Sequence, residues 1–492
     1  MRDKYLLFIN GEFVESDDHQ TFDVFNPATG AFLTQVAKAG KVDVDGAVTA
    51  ARTAFENGPW SRMTAAKRSR VLNEIARILR NRIDEVVELE VLNTGKTVAA
   101  AKGQVLQAIE DFEFYAAGAL SLTGQTVPMP NGFFTYTVKE PVGVCGQIIP
   151  WNYPFMMAAW KVAPALAAGC TVVLKPASYT PLTALLLAEV CQEAGVPNGV
   201  VNVITGSGAE IGPYMCEHQG IDKIAFTGET ETGKEIMARA STTLKRLSLE
   251  LGGKSANLVF ADCDLDAAVD GSLHGIFYNT GQSCEARSRL FVQEDIYDEF
   301  MARFVDKASR IKLGNPFDPS VHVGSIISES QVDVIDGYVR LAEQEGGEVL
   351  LGGARPSGDE FKNGHWYAPT IIGNVTNEMR VAQEEIFGPV VVVIQFRDEK
   401  EAVRLANESV FGLAGAVWTK DHSRAVRVSS AIRSGVVMVN SPISAFPGVA
   451  FGGYKQSGFG RELSFETLNL YTETKSVVSY VGNKPLNLLG VE

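Results

Sequence analysis

From Val142 to Phe260, short β-rich runs alternate with helix-like stretches, and this alternation limits the fold more than any other feature of the chain. Val142 to Ile149 reads as a strand, and Trp151 to Ala168 as a helix with Pro154 in its first turn. Cys170-Thr-Val-Val-Leu-Lys-Pro reads as a buried strand. The helix after it is marked by Thr180 as N-cap, Pro181 at the first position and Gly195 just past the end. Val200 to Ile204, Lys223 to Thr227 and Leu247 to Leu251 supply further strands, with a helix from about Thr230. Strands joined through helices run parallel, because each crossover returns the chain to the same end of the sheet. Ligands of such sheets bind at the carboxyl ends of the strands.

A second alternating series runs from about Ser255 to Gly460. It has a helix over Asp264 to Tyr278 and strands at Val390–Phe396, Gly415–Trp418 and Val436–Asn440. At 492 residues the chain exceeds one ordinary core, so a second α/β domain is expected. Two segments fit neither series. Thr123 to Lys139 alternates apolar Phe133, Tyr136 and Val138 and predicts a hairpin; Tyr471 to Tyr480 predicts an exposed strand. Strands with an apolar face need a partner, so both are expected at subunit contacts.

The net charge of −14 argues against nucleic acid or an anionic membrane as partner, since both need basic patches. The six cysteines lie no closer than 21 residues apart and form no C-x-x-C pair. That spacing fits neither a disulfide framework nor a zinc site, and a reducing, cytoplasmic compartment is the simplest reading. Pro141 to Trp160 is uncharged, but three prolines, two glycines, Gln147 and Asn152 would break a lipid-exposed helix. No metal site is expected, because no histidine sits in an H-E-x-x-H or similar pair. No G-x-S-x-G elbow is present for a serine hydrolase.

The chemistry-bearing residues stand at a few points. Cys284 lies in the polar, small-residue segment Asn279-Thr-Gly-Gln-Ser-Cys-Glu-Ala-Arg, which suits an accessible loop. Cys145, Cys170 and Cys191 sit among apolar residues and read as small core hydrophobes. Glu250 ends an apolar strand in Leu249-Glu-Leu-Gly-Gly-Lys. A thiol nucleophile and a general base are what is needed to form and then hydrolyse an acyl intermediate. Asn152, before a helix start, reads as a local cap or as an oxyanion donor. The loop Gly228-Glu-Thr-Glu-Thr-Gly-Lys-Glu resembles a phosphate loop, yet Glu235 stands where magnesium binding needs Ser or Thr. Free N–H groups at the helix start still suit a phosphate. Gly206-Ser-Gly208-Ala-Glu-Ile-Gly misses the dinucleotide fingerprint by one residue. Lys175 at a strand end reads as a solvated lysine or as a donor to a nucleotide. Glu384-Glu385-Ile-Phe387-Gly-Pro reads as a turn or as a ribose and ring contact.

Taken in order, Pro150-Trp-Asn-Tyr-Pro, Lys175-Pro, Phe226-Thr-Gly, Leu249-Glu-Leu-Gly-Gly-Lys, Gly281-Gln-Ser-Cys, Glu384-Glu-Ile-Phe-Gly-Pro and Phe451-Gly-Gly-Tyr-Lys-Gln-Ser-Gly resemble the aldehyde dehydrogenase superfamily. The resemblance covers nearly the whole chain and is nearest to the hydrolytic, non-phosphorylating branch with the betaine-aldehyde and broad-specificity enzymes. It implies two doubly wound parallel-sheet domains and a small β oligomerisation arm. Residues 1–122 and 142–252 would form a Rossmann-like coenzyme domain, 253–460 the catalytic domain, and 123–141 with 470–492 the arm and tail. It implies that Cys284 attacks an aldehyde, that Asn152 and the Cys284 N–H hold the oxyanion, and that Glu250 activates the hydrolytic water. Lys175 would bind the adenosine ribose. Ile149, Trp151, Gly208, Gly228, Glu229, Thr230, Gly233 and Leu251 would line the dinucleotide, with Glu385 and Phe387 at the nicotinamide ribose.

Two departures bear on the cofactor. Ser178 replaces the acid of many NAD-preferring members, so NADP is expected to be usable alongside NAD. Glu229 replaces a small hydroxyl residue and brings a second acid near the pyrophosphate. Tyr153, Met156, Met157, Trp160 and Phe446 are the expected substrate tunnel. A homodimer or homotetramer is expected. The reading that follows is an NAD(P)-dependent aldehyde dehydrogenase. Its competitors are acyl transfer to coenzyme A, which has no need of Glu250, and a non-catalytic protein on the same scaffold.

Overall fold

The computed structural model describes every residue except Asn131, Asn487, Val491 and Glu492. Two large sheets carry the fold, as the two alternating series predict. In the first, five parallel strands lie in the spatial order Arg246–Glu250, Lys223–Thr227, Val144–Ile148, Thr171–Lys175, Val201–Val203. The strand earliest in sequence is central, and the chain first winds to one side and then to the other. The carboxyl ends of Val144–Ile148 and Lys223–Thr227 therefore flank the point where the order reverses, which is where open α/β sheets leave a crevice. Antiparallel strands cover both edges: Leu7–Ile9 and Glu12–Val14 on one side, Gly458–Phe459 on the other.

The second sheet has six parallel strands, in the order Thr370–Gly373, Val390–Phe396, Arg289–Gln293, Ala256–Val259, Ala414–Trp418, Val436–Val439, with Glu348–Leu351 antiparallel at one edge. Only five residues separate Glu250 from Ala256, so the carboxyl end of one sheet leads directly to the amino end of the other.

The helix after Val144–Ile148 begins at Pro154, not Trp151. Proline fixes its own φ and supplies no N–H, so it opens the helix, and Trp151 to Tyr153 remain a bend. Every residue of Pro154–Ala168 is buried, which accounts for the uncharged run. Among the described residues no helix is long and apolar enough to cross a membrane. The helix after Thr171–Lys175 spans Leu182–Glu193 with Pro181 as N-cap, one residue later than expected. The predicted hairpin is present, and its long strand Phe133–Pro141 pairs along its whole length with the tail strand Thr472–Tyr480. The two unpartnered strands are thus each other's partner within one chain.

Candidate active site

A cavity of about 570 Å³ opens between the carboxyl end of the first sheet and the amino end of the second. Asn152, Glu250 and Cys284 all line it, as do Trp151, Gly228, Glu229, Glu385 and Phe387. Four of the expected tunnel residues, Tyr153, Met156, Met157 and Trp160, form its apolar wall. Phe446 does not: it is half exposed outside the lining, and Phe451 stands against Trp160 instead, ring centroids 5.3 Å apart. Phe446 was placed in the tunnel by its nearness to the Phe451 motif in sequence, which says nothing of side-chain direction.

The loop bearing Cys284 is held in an unusual backbone state. Asn279, Thr280 and Gly281 all have positive φ, and a Cβ on Gly281 would lie 2.0 Å from the Gly388 carbonyl oxygen. Side chains fix the loop from both sheets. The Asn152 amide donates to the Gln282 carbonyl at 3.1 Å, and the Gln282 side-chain oxygen accepts from the Ile327 N–H at 2.9 Å. Asn152 therefore does not cap its helix. Its own carbonyl accepts from Lys96 at 3.0 Å and from Asn279 at 3.2 Å, which ties the bend to the cysteine loop. Of the six cysteines only Cys284 is partly exposed. Burial raises its thiol well above the usual range, and the carboxylates of Glu285, Glu385 and Glu250 add to that.

Glu250 is buried at the end of its strand, and neither carboxyl oxygen has a hydrogen-bond partner among the described residues. Burial raises it well above the carboxylate range and Glu462 pushes it further, while Lys161 and Arg461 act the other way. Lys161 and Glu462 form a buried ion pair at 2.6 Å. The Phe451-to-Gly460 segment braces this region. The Ser457 hydroxyl donates to the Gly252 carbonyl at 2.7 Å, and the Leu251 N–H donates to the Ser457 carbonyl at 3.0 Å.

The residues expected to hold a dinucleotide divide into two groups. Glu385 accepts from the Gly253 N–H at 2.9 Å, is pushed up to about 7 by burial, and stands near Phe387, whose ring meets Trp151 edge-on at 5.2 Å. Phe387 has positive φ, a state that aromatic residues rarely adopt. Lys175, Ser178 and Gly208 form the second group, outside the cavity lining. Lys175 is buried, its ammonium donating among the described residues only to the Pro176 carbonyl at 3.0 Å, and burial lowers it to about 8. A Cβ on Gly208 would stand 3.7 Å from that ammonium, and the Ser178 hydroxyl donates to the Gly206 carbonyl at 2.8 Å. A buried cation with one acceptor, beside a glycine and a helix start at Gly208, has the donor character that a ribose or phosphate requires. Glu229 occupies the N-cap position of the helix Thr230–Ala240, without a side-chain capping bond. Gly228 and Gly233 are demanded by packing: a Cβ would lie 2.5 Å from the Phe226 ring or 2.6 Å from Leu251. Ile149 and Leu251 are buried behind the wall.

Sequence reasoning missed Glu285, Glu462 and Ser457. Glu285 follows the nucleophile directly and was visible there. Glu462 lies beyond the glycine-rich Phe451 motif, and it is held at the cavity by its backbone bridge to Phe451 and its ion pair with Lys161.

Comparison with known proteins agrees with this geometry. Residues 13–477 match the model of the aldehyde dehydrogenase family. The chain is 43% identical to the betaine aldehyde dehydrogenase of Bacillus subtilis, covering 97% of this chain and 98% of that protein. It is 45% identical to mouse aldehyde dehydrogenase 1A1, covering 97% and 95%. It superposes with a TM-score of 0.97 on the crystal structure of betaine aldehyde dehydrogenase from Staphylococcus aureus in complex with NAD+, at 40% identity over 99% of this chain and 97% of that one.

Proposed function

As a member of the aldehyde dehydrogenase family, this chain is an oxidoreductase acting on the aldehyde group, and we propose that it converts an aldehyde to a carboxylic acid with Cys284 as nucleophile and Glu250 as general base. The supporting observation is that thiol, carboxyl and amide converge from three distant segments on one cavity. In this reading the Cys284 thiolate adds to the carbonyl carbon, and the Asn152 amide and the Cys284 N–H receive the developing oxyanion. A nicotinamide, when bound, accepts the hydride released as the adduct becomes a thioester. Glu250 then removes a proton from the water that attacks the thioester. Its buried, bond-free carboxyl suits that task, because burial brings a carboxyl closer to the pKa of a useful base.

Lys175, Gly208 and the loop at Gly228 before the helix Thr230–Ala240 are assigned to the adenosine and pyrophosphate, and Glu385 with Phe387 to the nicotinamide ribose. The likeness to an NAD+ complex favours NAD. Ser178 brings no carboxylate to the ribose side, so NADP is accepted too. Coenzyme binding is assigned to residues 1–122 and 142–252, and catalysis to 253–460. The sheet formed by Phe133–Pro141 and the tail is assigned to contacts in a dimer or tetramer.

The test is absorbance of reduced nicotinamide on mixing the protein with NAD and a panel of aldehydes. Turnover by the native chain and none by Cys284→Ala is expected. Turnover by the alanine variant at the native rate would remove the thiol from the reaction.

A further inference from the structure

We propose that Glu285 is a specificity-determining residue that selects aldehydes carrying a compact cation close to the carbonyl over neutral or anionic aldehydes. The inference rests on the aldehyde-oxidising reading above and names the substrate class of that same site. Glu285 lines the cavity immediately after the nucleophile. One carboxylate oxygen accepts from the Arg287 guanidinium at 2.8 Å, and the other makes no hydrogen bond among the described residues. The arginine cannot turn into the cavity to cancel that charge locally. It is 2% exposed, donates to the Pro442 carbonyl at 2.7 Å, and lies where a Cβ on Gly275 would come within 2.4 Å of its Nε. The ion pair is thus oriented, with its negative end towards the substrate and its positive end in the wall.

The rest of the lining agrees in sign. Four other glutamates face the cavity and, among the described residues, no lysine or arginine does. Glu250 and Glu385 are pushed by burial towards their neutral forms, and Glu285 is the glutamate that directly follows Cys284 in the lining. His274, also in the lining, is lowered to about 4 by burial and by Arg287, so it adds no positive charge near neutral pH. Tyr153, Trp160 and Tyr278 also line the cavity, and aromatic side chains attract an ammonium group. A carboxylate-bearing aldehyde would meet repulsion and no compensating donor.

A matched pair of substrates isolates the charge. Trimethylammonioacetaldehyde and 3,3-dimethylbutanal have nearly the same shape and differ by one positive charge. The ratio of their kcat/KM values, each corrected for hydration of the aldehyde, is the quantity to measure in the native protein and in Glu285→Gln. The native chain is expected to favour the cation at least tenfold, and the variant to lose about tenfold of that preference; changes that affect both substrates alike cancel in the ratio. A native ratio near or below one, or a ratio unmoved in Glu285→Gln, overturns the proposal. The native measurement decides even where the variant does not fold. Turnover of neither aldehyde removes the aldehyde-oxidising reading and this inference with it.

Discussion

Cys284 is surrounded by carboxyl groups, an arrangement that opposes forming the thiolate it needs. Both it and Glu250 have raised pKa values and both act deprotonated, so kcat/KM, through the thiol, and kcat, through the later hydrolytic step, are expected to climb with pH on the alkaline side of neutral. Glu285→Gln removes the neighbouring charge that ranks next after burial. With a neutral aldehyde its alkaline limb should move to lower pH, and a limb that stays in place would show that Glu285 does not act on the thiol. Asp111 offers a separate test. It is fully buried, and burial raises it well above its usual range, against a smaller lowering from the Trp160 indole beside it. The folded protein therefore holds this proton more tightly than the unfolded chain, so its contribution to stability declines as pH rises above the ordinary aspartate range. Asp111→Asn lacks that decline. Its Tm relative to the native chain is expected to improve between pH 5 and pH 8, and an unchanged difference across that range would contradict the assignment.

At the scale of elements, the site depends on where strands stop. Lys175 and Ser178 lie at and just beyond the end of one strand, and Glu250 ends another. Ser178→Glu is expected to lower kcat/KM for NADP at least tenfold relative to NAD, by repulsion between two anions. An unchanged ratio would mean that the 2′-phosphate lies elsewhere. Gly281→Ala would place a Cβ against the Gly388 carbonyl in a backbone state already unfavourable to alanine. The expected result is loss of activity well beyond any loss of helical content, read by circular dichroism and steady-state rates. These elements show what the sequence makes legible and what it does not. Strand and helix periods located both sheets, and Cys284, Glu250 and Asn152 lay in local patterns with a chemical meaning. The bond from Asn152 to Gln282 spans 130 residues, and the ion pair that holds Glu462 runs to Lys161, 301 residues away. Neither leaves a local periodicity. Phe446 lies outside the lining although Pro442 to Ala445 belong to it, since nearness along the chain does not fix which way a side chain points.

For the whole molecule, the two sheets meet carboxyl end to amino end, and the short link Leu251 to Ser255 passes between them. This lets one chain present a dinucleotide crevice and a nucleophile loop to the same cavity. A three-stranded sheet of Thr126–Val127, Phe133–Pro141 and Thr472–Tyr480 is separate from both large sheets, and Phe134 and Val478 on it are about half exposed or more. Changing Val478 to Lys is expected to shift the mass measured by light scattering towards a smaller species, and an unaltered mass would place the subunit contact on another face. The central claim is that the thiol captures the aldehyde and the glutamate acts only afterwards, and a rapid-mixing experiment on Glu250→Gln tests it most directly. A burst of reduced cofactor stoichiometric with active sites, followed by turnover slowed at least a hundredfold, is the predicted result; loss of the burst itself would contradict it, because Glu250 would then be needed before the thioester exists.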